Sequence, residues 1–129
     1  MRGRSSAAEI AAELSKAVAR GNGRLAYRLL IQLADDLRAV DAAGRVVLAA
    51  EEPPNVGRWS DAIAGIVELR LREAGAPLPD WVVASIGDPN DLWEPDRGVK
   101  LPWGADLKLV PEPLSRRGVA IEASELESV

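Results

Sequence analysis

The residues best suited to binding chemistry lie in one short acidic segment, residues 88–96. Its carboxylates are Asp88, Asp91, Glu94 and Asp96. Oxygen ligands at alternate positions, such as Asp88 and Asn90, suit Ca²⁺, but an EF-hand loop needs a third ligand and then glycine at its sixth position. This segment has Leu92 and Trp93 at those positions. We therefore predict a structural turn or a partner-binding surface here and no metal site.

The sequence offers few residues for catalysis, because it contains no histidine and no cysteine. That composition excludes a Ser-His-Asp triad, a thiolate nucleophile and cysteine-ligated zinc. The adjacent acids Asp35-Asp36 and Glu51-Glu52 would point about 100° apart on a helix and would not converge. The turn Gly21-Asn22-Gly23 lacks the spacing of a phosphate-binding loop. We expect no catalytic residue, no metal and no cofactor.

The net charge of -4 lies entirely in residues 81–129. Residues 81–129 hold nine acidic and five basic residues, whereas residues 1–80 hold eleven of each. Nucleic-acid-binding proteins usually show the opposite, a basic stripe. Direct nucleic-acid binding is therefore not expected. Arg116 and Arg117 could clamp a carboxylate or a phosphate of a partner, and internal ion pairing with the nearby acids is the simpler use.

Three of the four tryptophans, Trp81, Trp93 and Trp103, fall within residues 81–103. The chain has no phenylalanine and one tyrosine, so its core is short of aromatic side chains. We expect these tryptophans to pack in the core or in a partner's groove, and not to stack on bases. Trp93, which lies inside the acidic segment, is the candidate anchor for a partner.

Residues 6–80 show helical periodicity. Ser6 and Glu9 have the spacing of a capping box, and Gly21-Asn22-Gly23 ends the first helix. The second helix, residues 24–40, is apolar over more than half its circumference and is predicted to be the most buried. Asp41 caps a short third helix that ends near Glu51. The fourth helix spans residues 59–75.

These elements predict a mainly α fold, an antiparallel bundle of about four helices with at least about 45% helix. The predicted core residues are Leu29, Leu33, Leu37, Ile63, Ile66 and Val67. With 129 residues the chain fits a single domain. No apolar run approaches the length of a membrane span, and we expect a cytoplasmic protein.

The composition of the chain changes after residue 80, where prolines and glycines are interleaved with the tryptophans. That density of turn formers excludes long helices. We predict a helical bundle over residues 1–80 and an irregular, Trp/Pro-rich C-terminal arm over residues 81–129 that docks on it. Within the arm, Leu107–Val110 and Val119–Ile121 could be short strands or simply extended. Ser124 and Glu127 have the spacing of one capped helical turn.

Several runs of this sequence resemble a small actinobacterial family of antitoxins and regulators. The similarity spans residues 10–127, and its main runs are 50–54, 74–82 and 113–121, with Arg58, Asp61-Ala62, Glu68-Leu69 and Ser124–Leu126 between and after them. Members usually carry this domain behind a helix-turn-helix, beside genes for nucleotidyltransferase-type toxins. We expect no helix-turn-helix before the matching residues here, and we therefore expect toxin neutralisation to carry over rather than promoter binding.

The sequence thus predicts an interaction protein, similar to the antitoxin of a toxin–antitoxin module, that neutralises a nucleotidyltransferase-like enzyme by direct binding. An acidic arm would complement the basic cleft of such an enzyme. The predicted partner-binding residues are Asp88, Asp91, Trp93, Glu94, Asp96, Arg116 and Arg117. The alternative is a helical oligomerisation or structural subunit with no toxin partner, for instance a homodimer formed through the second or fourth helix.

Overall fold

The computed structural model describes residues 4–96 and 104–127, and 59% of these residues lie in helices. The predicted mainly helical bundle is confirmed. Trp103 lies outside the described residues. Each helix in the described part of the chain is too short or too polar to cross a lipid bilayer. The α-helices are α1 (Ala7–Ala19), α2 (Gly23–Arg38), α3 (Ala42–Ala49), α4 (Arg58–Glu73), α5 (Asp80–Ala84) and α6 (Glu112–Ser115).

The first and third helices begin at their predicted capping residues, and the second is capped by Asn22, which was predicted only as part of the turn that ends the first helix. At α1 the Glu9 backbone N–H donates to Ser6 Oγ at 3.1 Å, and the Ser6 N–H donates to Glu9 Oε1 at 2.9 Å. Asn22 Oδ1 accepts from the Leu25 N–H at the start of α2. Asp41 Oδ1 accepts from the Gly44 N–H at the start of α3. Each cap satisfies an amide that has no partner within the helix.

The most buried helix is α4, and the prediction that the second helix would be most buried is wrong. Ten of the sixteen residues of α4 are buried, against five of sixteen in α2. The reason is that α4 is covered twice, by α1–α3 and by the C-terminal arm. At Gly65 a Cβ atom would lie 2.6 Å from Leu114 Cδ2, so the missing side chain lets α6 approach α4 closely.

The predicted core is confirmed at five positions and wrong at one. Leu33, Leu37, Ile63, Ile66 and Val67 are at most 1% exposed. Leu29 is only half-buried, and its neighbour Leu30 takes the core position at 0% exposure. Successive helical residues point about 100° apart. With leucine at both positions, periodicity alone could not assign the inward side chain.

The arm contains only short elements, as its prolines and glycines predict. Leu107–Leu109 forms a 3₁₀ turn instead of a strand, and Val119 forms an isolated parallel bridge with Trp93. The last turn is capped two residues earlier than predicted, by Glu122 and Glu125. The arm contributes six apolar side chains to the core: Val82, Val110, Leu114, Val119, Ile121 and Leu126.

Leu33→Ala should lower the free energy of unfolding by about 2–5 kcal/mol, because it removes a fully buried side chain and leaves a cavity. Leu29→Ala, the matched control on the same helix, should cost less than half as much, since Leu29 is already partly hydrated. Urea denaturation followed by circular dichroism measures both. Equal losses would contradict the inward assignment of Leu30 over Leu29.

Candidate functional site

The acidic segment forms an exposed loop, residues 88–96, which we call the acidic loop. Its side chains of Asp88, Asp91, Glu94 and Asp96 are exposed, and Leu92 is 55% exposed between them. The loop bends at Asp88, whose Oδ1 accepts from the Asn90 N–H at 2.9 Å. The structure therefore presents four exposed carboxylates and one exposed apolar side chain within nine residues.

The backbone of the acidic loop is held against the segment 117–120. The Trp93 N–H donates to Gly118 O at 2.7 Å, and the Ala120 N–H donates to Trp93 O at 2.9 Å. Gly118 has a φ of 76°, and a Cβ atom there would collide with the carbonyl oxygen of Asp88 and lie 2.7 Å from that of Asp91. Glycine is required because of both the left-handed backbone and this close approach.

Arg58, at the start of α4, joins the acidic loop to the same segment. Its Nη2 donates to Asp91 O at 2.7 Å and to Gly118 O at 3.0 Å. Its Nη1 lies 3.5 Å from Asp91 Oδ2, and its Nε lies 3.6 Å from Asp61 Oδ2. Burial raises the pKa of Asp61, and this effect outweighs the opposing attraction of Arg58 and Arg117. Arg58 thus links the loop, the glycine turn and α4 through one guanidinium.

Trp93 packs between the acidic loop and the core. Its ring meets that of Trp59 edge to face, with centroids 5.1 Å apart and planes at 79°. Trp93 is partly buried and packs against the core. Such a pair contributes about 0.5–1.5 kcal/mol beyond the area it buries. The geometry favours the packing interpretation of Trp93 and leaves Leu92 as the exposed apolar side chain at the centre of the loop.

A buried carboxylate, Glu68, lies in the middle of α4 and receives three arginines. Glu68 Oε2 accepts from Arg72 Nε at 2.7 Å, and Glu68 Oε1 accepts from Arg117 Nη2 at 3.0 Å and from Arg116 Nη2. The side chains of Glu68 and Arg117 are both 0% exposed. We call these four residues the Glu68 cluster. It joins α4 to the end of α6.

Arg117 is fully engaged inside the protein. Besides Glu68, it donates to Pro113 O at 2.7 Å, to Val82 O at 3.1 Å and to Ser85 O at 3.1 Å. A buried charge is tolerated only when it is paired and its remaining donors are bonded. Arg117 meets both conditions.

The Glu68 carboxyl has a shifted pKa. Burial by itself would raise that pKa, but the hydrogen bonds from Arg72, Arg117 and Arg116 outweigh burial and lower it below its ordinary value. For Arg117, burial disfavours the charged form and lowers the pKa, and this effect outweighs the opposing attraction of Glu68. Glu68 is therefore ionised in the folded protein at neutral pH.

The structure corrects the expectation that Arg117 contacts a partner, because its side chain is buried and its donors are used within the chain. Arg116 is 37% exposed and pairs with Glu68 and Glu112. The internal ion pairing that the sequence suggested as the simpler use is confirmed. Sequence reasoning missed Glu68, whose one local signal, Arg72 four residues later, is common on exposed helices.

The acidic loop and the Arg116-Arg117 step are brought together, but through the backbone of Arg117 and Gly118. The side chains of Arg116 and Arg117 instead bond the carboxylate of Glu68. Within residues 4–96 and 104–127, no group of three or more acidic side chains converges to hold a metal ion. What the arrangement offers is a supported acidic surface.

Comparisons with protein-family models, with curated proteins and with solved structures found no match to this chain.

Glu68→Gln should lower the free energy of unfolding by about 3 kcal/mol or more at pH 7, because it leaves the buried Arg117 without a counter-charge. The matched control is Glu13→Gln, which removes an exposed pair with Lys16 and should cost less than about 0.5 kcal/mol. Urea denaturation measures both. Equal small losses would show that the cluster is not needed for stability.

The Glu68→Gln variant also tests the pH dependence of stability. The folded-state pKa of Glu68 lies below its ordinary value, so its stabilising effect is complete above about pH 4.3 and is lost as the pH falls through the lowered pKa. The difference in stability between the wild-type protein and Glu68→Gln should therefore be largest near neutrality and shrink in acid. A difference that grows below pH 4 would contradict the direction of the shift.

Gly118→Ala should destabilise the fold by about 2 kcal/mol or more, since it adds a collision to the cost of the left-handed conformation. Gly21→Ala is the control: its φ is 70°, but no atom lies within 4 Å of the added Cβ, so only the conformational cost of about 1 kcal/mol applies. Thermal unfolding ranks the two variants. A smaller effect at Gly118 than at Gly21 would contradict the close approach of the loop.

Proposed function

We propose that this chain is a non-catalytic interaction protein that binds and neutralises a basic partner enzyme through the acidic loop. The observation that carries the proposal is the arrangement of that loop. Asp88, Asp91, Glu94 and Asp96 are exposed on a backbone fastened by Arg58, Gly118 and Ala120. An interaction surface that is already ordered loses less conformational entropy when it binds.

The chemistry of the loop favours a basic partner. Clustered carboxylates steer a positively charged surface into encounter and reject acidic ones. Leu92, 55% exposed among them, supplies apolar area for contact after encounter. Charged rims around an apolar centre are the usual anatomy of protein interfaces.

The resemblance to antitoxins of nucleotidyltransferase-type toxins suggests which enzyme this is. An enzyme that binds nucleoside triphosphates and RNA needs a basic cleft, and an acidic loop seated there would exclude the phosphates. We therefore propose that the partner is a nucleotidyltransferase-like toxin, encoded by a neighbouring gene, and that neutralisation occurs by occupation of its cleft.

One observation favours the alternative of a helical oligomerisation module. A groove between α1 and α2 includes Leu25, which is 36% exposed, and the half-buried Leu29. Two copies could pair across this groove. Sedimentation equilibrium separates the two functions, because self-association in the absence of a partner is required by the alternative and not by neutralisation.

The experiment measures binding kinetics to the purified product of the adjacent gene at two salt concentrations. Replacing the four loop carboxylates with amides should lower the association rate about tenfold or more at low salt and flatten its salt dependence. Leu92→Ala should instead raise the dissociation rate, because an apolar contact acts after encounter.

A charge-matched control replaces four exposed carboxylates elsewhere with amides: Glu13, Glu51, Glu112 and Glu127. This variant changes the net charge equally and should bind with a nearly unchanged association rate. Equal slowing by both variants would mean that the net charge steers and the loop does not. Unchanged rates in the loop variant would place the interface elsewhere.

A further inference from the structure

A second candidate surface is a groove between the linker after α3, the first half of α4 and α5. Its volume is about 190 Å³. A cavity of about 150 Å³ lined by apolar groups is large enough for benzene, so this groove suits one large apolar or aromatic side chain. The groove is lined by Glu52, Pro53, Pro54, Asn55, Ser60, Ile63, Ala64, Trp81 and Ser85.

The walls of the groove are held in place by hydrogen bonds within the chain. Trp81 Nε1 donates to Ala49 O at 2.8 Å. Ser60 Oγ accepts from the Val56 N–H at 2.7 Å, and Ser85 accepts from the buried Arg117 through both its carbonyl and its hydroxyl oxygen. The groove is thus preformed, and the polar groups of Trp81 and Ser60 already have partners. The groove therefore offers the apolar faces of Pro53, Pro54 and Trp81 beside the polar side chains of Glu52 and Asn55.

The charge around the groove is negative. Glu52, which is exposed, is the charged residue among its lining residues. The neighbouring Glu51 and Asp80, next to Glu52 and Trp81 in the chain, are also exposed acids. A basic flank on the occupant would therefore be attracted to the rim.

We propose that this groove binds a partner-protein segment that inserts one large apolar or aromatic side chain and carries lysine or arginine beside it. The faces of Pro53, Pro54 and Trp81 and the volume favour the inserted side chain, and Glu52 favours the basic neighbour. The proposal does not depend on the acidic loop. Short linear segments with one such anchor bind through a few residues that carry most of the energy.

The test begins with selection of random peptides displayed on phage against the full-length protein. Enriched peptides should carry one Leu, Ile, Phe or Trp flanked by Lys or Arg. A synthetic peptide of the enriched sequence is then titrated by NMR, and the Trp81 indole Nε1–H resonance should shift in proportion to occupancy.

Two matched variants show whether the peptide lies in this groove. Glu52→Lys should weaken the peptide about tenfold. Glu51→Lys makes the same charge change at an exposed residue that does not line the groove, and should weaken the peptide about threefold or less because Glu51 attracts the basic flank without contacting it. The loop variant with four amides should bind the peptide unchanged, so failure of the acidic loop and failure of the groove remain distinguishable.

The proposal is overturned by any of three results: no enriched sequence, an enriched sequence without a basic flank, or a peptide that binds Glu52→Lys as well as Glu51→Lys. A fourth result also overturns it. If the wild-type protein dimerises and Glu52→Lys alone abolishes the dimer, the occupant is a second copy of this chain and not a partner protein.

Discussion

The contact between α4 and the C-terminal arm depends on a fully buried ion pair between Glu68 and Arg117. Glu68 lies in the middle of α4 with no exposed surface, and its charge is balanced by arginines from α4 and from the arm. Removing a charge from water costs several kcal/mol, and this cost is offset only when the ion is paired and fully hydrogen-bonded. The arm can therefore dock in one register, the one that delivers Arg117 to Glu68.

The exposed acidic loop depends on this interior contact. Arg117 bonded to Glu68 places Gly118 next, and Gly118 accepts the hydrogen bonds from Trp93 and from Arg58. The same arginine bonds Ser85 at the edge of the apolar groove. Both candidate surfaces are therefore positioned by one buried ion pair, although neither contains it.

Local features of the fold were predictable because local physics decides them. Ser6 with Glu9 and Asp41 with Gly44 lie within one turn of each other, so their capping needs no information from the rest of the chain. The inward choice of Leu30 over Leu29 was not predictable, because it depends on where α4 lies. The dominance of α4 over α2 in the core likewise depends on the arm that covers it.

The sequence was enough to predict which residues form the candidate site, but not which contacts hold the acidic loop in place. The exposed carboxylates follow from a charged, proline-rich segment that cannot form a helix. The roles of Glu68 and Arg117 are set by a contact between residues 49 apart in the chain. Helical or strand periodicity does not indicate such a contact. Trp93 could be assigned to the core or to a partner on composition alone, and only its contact with Trp59 separates the two.

The long spans of these contacts bear on the order in which the chain folds. Tyr27 bonds Glu125 across 98 residues, Arg58 bonds Gly118 across 60, and Arg70 bonds Leu126 across 56. Closing such loops costs conformational entropy before the contact contributes any stabilising energy. Local helices therefore form ahead of distant pairings. On a ribosome the helices emerge first, and the acidic loop acquires its backing only after residue 118 has been synthesised. The candidate surface is thus completed only when residues 117–120 are available to hold the backbone of the acidic loop.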